Sequence, residues 1–82
     1  MRYDLQISQK ALDQLRQIPK EQRRNIGYRL ELLCEDLQGD VLKLKAESNR
    51  YRLRVGSHRI LFLLESNIIQ VYAVKDRRDA YE

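Results

Sequence analysis

The chain is 82 residues long, 43% hydrophobic and 34% charged, with a formal net charge of +4. That length supports one small domain with a modest core, and the balance of apolar and charged residues excludes a disordered or fibrous chain. No apolar run approaches the roughly 20 residues of a bilayer span, and MRYDLQISQK has no apolar stretch of signal-peptide length, so a cytoplasmic protein without a membrane partner is expected.

Residues 2–8 (RYDLQIS) alternate Tyr3, Leu5 and Ile7 with polar side chains, the period of two that marks a strand. Ser8 is placed to cap a helix whose Leu12, Leu15 and Ile18 share one face. Pro19 ends that helix and suits the start of the next. In the second helix Ile26, Leu30, Leu33 and Leu37 recur at spacings of four, three and four, and Gly39-Asp40 closes it. Gly27 inside it costs about 1 kcal/mol relative to alanine, so a close packing contact is expected there. Cys34 reads as a small buried hydrophobe, and Tyr28 and Tyr72 as packing residues.

The period then becomes two. Val41, Leu42 and Leu44 begin a short strand with interleaved lysines, and Tyr51 to Val55 forms another, followed by a tight turn at Gly56-Ser57. Residues 59–65 and 68–74 pair as a hairpin around Ser66-Asn67. The order is one strand, two helices, then three or four strands. That predicts an α+β domain: an antiparallel sheet of about four strands with a helical hairpin on one face. The whole chain, 1–82, is expected to be a single domain.

The positive charge is localised. Residues 1–41 hold seven basic and seven acidic side chains, whereas residues 42–82 hold nine basic and five acidic ones. A basic half of this kind suits a polyanionic partner, because neutralised phosphates release counterions. Strand alternation then assigns faces. Arg52 and Arg54 share one face of their strand and Leu53 and Val55 the other, which should meet the helices. On the next strand Ile60, Phe62 and Leu64 take the helix side, so Arg59 projects with Arg52 and Arg54. Arg77, Arg78 and Tyr81 follow the last strand. Guanidinium groups fork onto phosphate oxygens, and an exposed tyrosine offers a base a stacking platform. Arg50, Arg78 and Lys75 are expected to add RNA contacts around this cluster. The segment KEQRRN at 20–25 reads as an exposed first turn. With one cysteine and one histidine, neither a metal site nor a cofactor is expected.

These residues resemble a known family. Tyr51-Arg52-Leu53-Arg54-Val55-Gly56-Ser57-His58-Arg59-Ile60 resembles the strand pair of RelE/ParE-superfamily toxins, where a tyrosine leads alternating basic and aliphatic residues into a glycine turn and an arginine. Val74 to Tyr81 resembles that family's terminal V-x-x-R-R-x-x-Y segment, and the likeness covers nearly the whole chain. The resemblance implies an antiparallel sheet backed by helices and, for the RelE branch, a toxin that cleaves mRNA in the ribosomal A site. It implies a cognate antitoxin as partner, in a complex that represses its own operon, with the ribosome and its mRNA as targets.

By resemblance, Arg52 and Arg54 hold and activate the scissile phosphate, Arg59 stabilises its charge, Arg77 serves the leaving group, and Tyr81 orients the nucleotide. The implied reaction is attack by a ribose 2′-OH on the adjacent phosphate, with cations stabilising the phosphoryl oxygens. The family often carries lysine where this chain has Arg52 and Arg54, and arginine does not release its proton. A general base is therefore sought among His58, whose parity points it away from Arg59, and Tyr81. Two other functions share this fold: a ParE-like poison of DNA gyrase, and a nucleic-acid-binding module without catalysis. The RNase residues favour the RelE branch. Leu61 and Leu63 are expected as exposed apolar neighbours of the basic face, inviting an acidic antitoxin segment that folds on binding.

Overall fold

A computed structural model of the chain describes residues 1–45 and 48–76. The first element is strand β1 (Asp4–Ile7), and the cap expected at Ser8 forms directly after it, with the Ser8 hydroxyl accepting from the Ala11 amide at 3.1 Å. Helix α1 (Gln9–Arg16) buries Ala11 and Leu15. Pro19 then precedes helix α2 (Lys20–Leu33), which buries Ile26, Leu30 and Leu33. The stripe of α2 is the face it turns to the core, whereas α1 turns in Ala11 with Leu15, leaves Leu12 outside the core cluster and ends before Ile18, which packs on the core from the following turn.

Helix α2 stops earlier than its leucine spacing predicts. Its C-cap is Cys34, and Asp36 and Leu37 have left-handed backbones with φ of 66° and 55°. The cause is tertiary. The Tyr3 amide donates to the Cys34 carbonyl at 2.8 Å and the Asp36 amide donates to the Met1 carbonyl at 2.9 Å, so the start of the chain takes over backbone groups that another helical turn would use. Leu37 still packs against the core, from the turn rather than from the helix. Gly39 is the residue whose conformation the turn requires. Its φ is 127°, and a Cβ there would lie 2.8 Å from Leu53 Cδ1.

The remaining strands are β2 (Asp40–Lys43), β3 (Arg50–Val55), β4 (His58–Glu65) and β5 (Ile68–Asp76). Together with β1 they make a five-stranded sheet in the order β1-β5-β4-β3-β2. Two features of the expected sheet are corrected here. It has five strands, and it is mixed, because β1 runs parallel to β5 with Asp4 beside Ile68 and Ile7 beside Val71. Alternation identifies β1 as a strand but is silent on its partner. The helical hairpin carries the chain across the sheet between β1 and the later strands, as a parallel pairing requires.

The core lies between the helices and one face of this sheet. Leu53 and Val55 on β3, Ile60 and Phe62 on β4, and Ile69, Val71 and Val74 on β5 meet the helix stripes. The Tyr51 ring stacks on Phe62 with centroids 5.5 Å apart. A register shift between Leu61 and Phe62 sets Phe62 opposite Val71 and Ile60 opposite Val74. Two valines of unlike parity therefore reach the same face, which strict alternation forbids. Cys34 is buried as expected, and that burial raises its thiol pKa.

Three packing expectations fail. Tyr28 is 57% exposed rather than packed. Gly27 is exposed, with nothing within 4 Å of where its Cβ would stand, so no close contact explains it. Leu61 is only 2% exposed and Leu63 is half-buried. Leu61 sits in the middle strand between Arg52 and Ala73, and a central position has neighbours on both sides.

Candidate functional site

The face opposite the helices is organised in rows set by strand register. One row runs Asp40, Arg54, Arg59, Lys75 across β2, β3, β4 and β5. The next runs Leu42, Arg52, Leu61, Ala73, and Arg50 stands opposite Leu63 in the row beyond. Neighbouring strands lie about 4.8 Å apart, so the backbone positions of the three basic residues of the first row fall within roughly 10 Å across the sheet. Arg54 and Arg59 face each other directly, an arrangement of like charges that costs stability.

The turn that joins β3 to β4 fixes this pairing. Gly56 adopts φ of 59°, which lets the chain reverse over two residues and brings Val55 opposite His58 and Arg54 opposite Arg59. A cavity of about 200 Å³ lies at this end of the sheet, lined by Arg54, Gly56, Ser57, His58 and Arg59. Two of its five lining residues are arginines, so its walls are cationic.

Arg52 reaches the same end of the sheet by a diagonal contact. Its Nη1 lies 3.3 Å from the Asp40 carbonyl oxygen and 3.5 Å from Asp40 Oδ1, and its side chain is only 13% exposed. Asp40 was legible in the sequence only as part of the turn after α2. Its role in the basic cluster depends on β2 pairing with β3 in this register, which spacing along the chain does not reveal.

His58 follows its parity. It lies on the helix side, 7% exposed, with Nε2 3.8 Å from Asp76 Oδ2. A second cavity, of about 520 Å³, adjoins it between the start of α2 and the end of β5, with Gln14, Gln17, Gln22 and Asp76 among its walls. Gln14 also finishes the sheet there, since its Oε1 accepts from the Val74 amide at 2.7 Å past the end of β1. The register thus sets Arg54, Arg59 and Lys75 in one row with Arg52 drawn toward it, while the His58 ring is buried beside Asp76 on the helix side although the residue also borders the cavity of Arg54 and Arg59. Arg77, Arg78 and Tyr81 lie outside the described residues. Among the described residues no group of three or more His, Cys, Asp or Glu side chains is placed to hold a metal ion, and no helix is long and apolar enough to cross a membrane.

Residues 5–81 match the family described as the ParE toxin of type II toxin–antitoxin systems, parDE. The chain belongs to this toxin family. No curated protein sequence matches the toxin. Among solved structures it is similar to a chain of the RelB–RelE antitoxin–toxin complex from Methanococcus jannaschii, at 25% identity and a TM-score of 0.78 over 93% of this chain and 94% of that one. It is also similar to a chain of the archaeal RelE–RelB complex from Pyrococcus horikoshii, at 24% identity and a TM-score of 0.82 over 98% and 100%. The YoeB dimer from Staphylococcus aureus matches at 21% identity and a TM-score of 0.71 over 92% and 97%. These likenesses place the toxin's fold with RelE and YoeB, within the RelE/ParE superfamily.

Proposed function

We propose that this toxin is a ribosome-dependent endoribonuclease that cleaves mRNA in the ribosomal A site and so halts translation. The observation that carries the reading is the direct pairing of Arg54 with Arg59, with Arg52 drawn to the same end of the sheet. Guanidinium groups carried by facing positions of adjacent strands can grip one phosphate from two sides and stabilise the charge that develops on it.

In this reading the ribose 2′-oxygen attacks the adjacent phosphorus and the bond to the 5′-oxygen breaks. The products are a 2′,3′-cyclic phosphate and a 5′-OH. Arg52 and Arg54 hold the phosphate, and Arg59 stabilises the charge that gathers on its non-bridging oxygens. Arg77 stabilises the charge on the departing 5′-oxygen, which takes its proton from water, and Tyr81 orients the nucleotide by stacking. The His58 ring faces Asp76 on the helix side, which leaves Tyr81, as its phenolate, to take the proton of the 2′-OH. Arg50, Lys75 and Arg78 add phosphate contacts along the RNA. A cognate antitoxin covers the basic face, a reading supported by the RelB–RelE complexes among the structural relatives.

A second reading is favoured by the family description itself, which names ParE. On it the toxin poisons DNA gyrase instead. Induction of the toxin from a tight promoter, with mRNA 5′ ends mapped beside an Arg59→Ala control, separates the two. New ends inside translated codons, absent from the control, are expected. Growth arrest with intact mRNA would move the assignment to gyrase, and neither effect would leave a binding module without catalysis.

A further inference from the structure

We propose that Asp40 is a positioning residue, which holds the Arg52 guanidinium in the Arg54–Arg59 row and thereby completes the phosphate site. The inference rests on the reading of that face as the RNA-cleaving site. In register, Arg52 stands opposite Leu42, whereas Asp40 stands opposite Arg54. The contact between Arg52 and Asp40 is therefore diagonal, and it displaces the guanidinium one row toward Arg54 and Arg59.

Like-charge repulsion pushes Arg52 the other way, since Arg54 shares its face two residues along the same strand. A side chain that is 13% exposed also needs acceptors for its donors, because a desolvated guanidinium cannot shed its charge. Asp40 supplies two acceptors, its carboxylate and its own carbonyl oxygen. It is the only carboxylate in the Asp40–Arg54–Arg59–Lys75 row among the described residues. The turn before it requires Gly39, whose φ is 127° and whose Cβ, if it had one, would lie 2.8 Å from Leu53 Cδ1.

The test is a double-mutant cycle in a ribosome-programmed mRNA cleavage assay with the intact chain. Asp40→Ala is expected to lower kcat about tenfold with KM changed less than about twofold, because misplacement of one group weakens the transition state more than ground-state binding. Asp40→Asn keeps the backbone acceptor and replaces the carboxylate by a neutral amide oxygen, so it should lose less. In an Arg52→Ala background, Asp40→Ala should add less than about a twofold loss, since its effect passes through the missing side chain. Losses that add would overturn the proposal. So would an Asp40→Asn variant that loses the acid limb of the pH–rate profile while keeping Arg52 in place, which would make Asp40 a proton carrier. If the parent toxin cuts no RNA, the functional reading fails and the placement is judged separately. The Arg52 Nε–Hε resonance should be ordered in the parent and averaged in Asp40→Ala, and an unchanged signal would overturn it.

Discussion

The two faces of the central strands differ in what they store. On the helix side, Leu53, Val55, Ile60 and Phe62 are buried together and supply most of the sheet's share of the core. On the other side, residues one position away along the same strands are Arg52, Arg54 and Arg59, with Lys75 beside them. The first face lowers the free energy of the fold. The second spends part of it, because Arg54 and Arg59 are held opposite each other. The difference teaches that neighbouring positions on one strand can serve opposite ends, apolar packing on one face and the gathering of positive charge on the other. Yet the division is not clean, since Leu61 and Ala73 on the arginine side are buried as well. That face is apolar in its middle and cationic at one end.

Phe62→Ala should break the comparison most severely. Loss of a fully buried ring that stacks on Tyr51 is expected to cost about 3–5 kcal/mol, enough to unfold a domain of this size, as urea denaturation would show. Leu61→Ala tests whether the arginine face also carries stability. A cost of about 2–4 kcal/mol in the same assay is expected, and a neutral result would restore the simple picture of one stabilising face. Arg54→Ala sharpens the comparison from the other side. Cleavage should fall about a hundredfold, while thermal stability stays level or rises by a few tenths of a kcal/mol as the facing charge is relieved. The smallest effect is expected far from both faces. Gly27→Ala on exposed α2 should stabilise by about 0.5–1 kcal/mol with cleavage unchanged, because nothing crowds the new methyl group.

Burial of Cys34 adds a dependence on pH. A thiol whose pKa is raised in the fold favours the folded state while it is protonated in both states. That contribution is whole below the ordinary thiol range and is lost as pH rises through the raised value. The stability of the parent should therefore fall in alkali more steeply than that of Cys34→Ala, read as the shift in denaturation midpoint with pH.

Helix capping at Ser8, the stripe of α2 and the inward set of β3 and β4 were legible because each depends on spacing within one segment. The same spacing placed Arg52, Arg54 and Arg59 on one face and turned His58 to the other. Where the reading failed, a distant segment decided. Helix α2 ends at Leu33 because residues near the start of the chain bind the backbone beyond it. Val74 joins Val71 on the core face because β5 carries an irregularity against β4 that no alternation announces.

The amino-acid order alone determined which segments are helices and which are strands, the inward faces of α2, β3 and β4 and the concentration of positive charge in the second half, since periodicity and charge are local properties of a chain. Tertiary structure decided that β1 would lie parallel to β5, that Arg54 would face Arg59, and that Asp40 would meet Arg52. Each of these is a pairing between strands, and pairing is settled by register and topology. Residues far apart along the backbone come into contact only when the whole sheet has closed around its core.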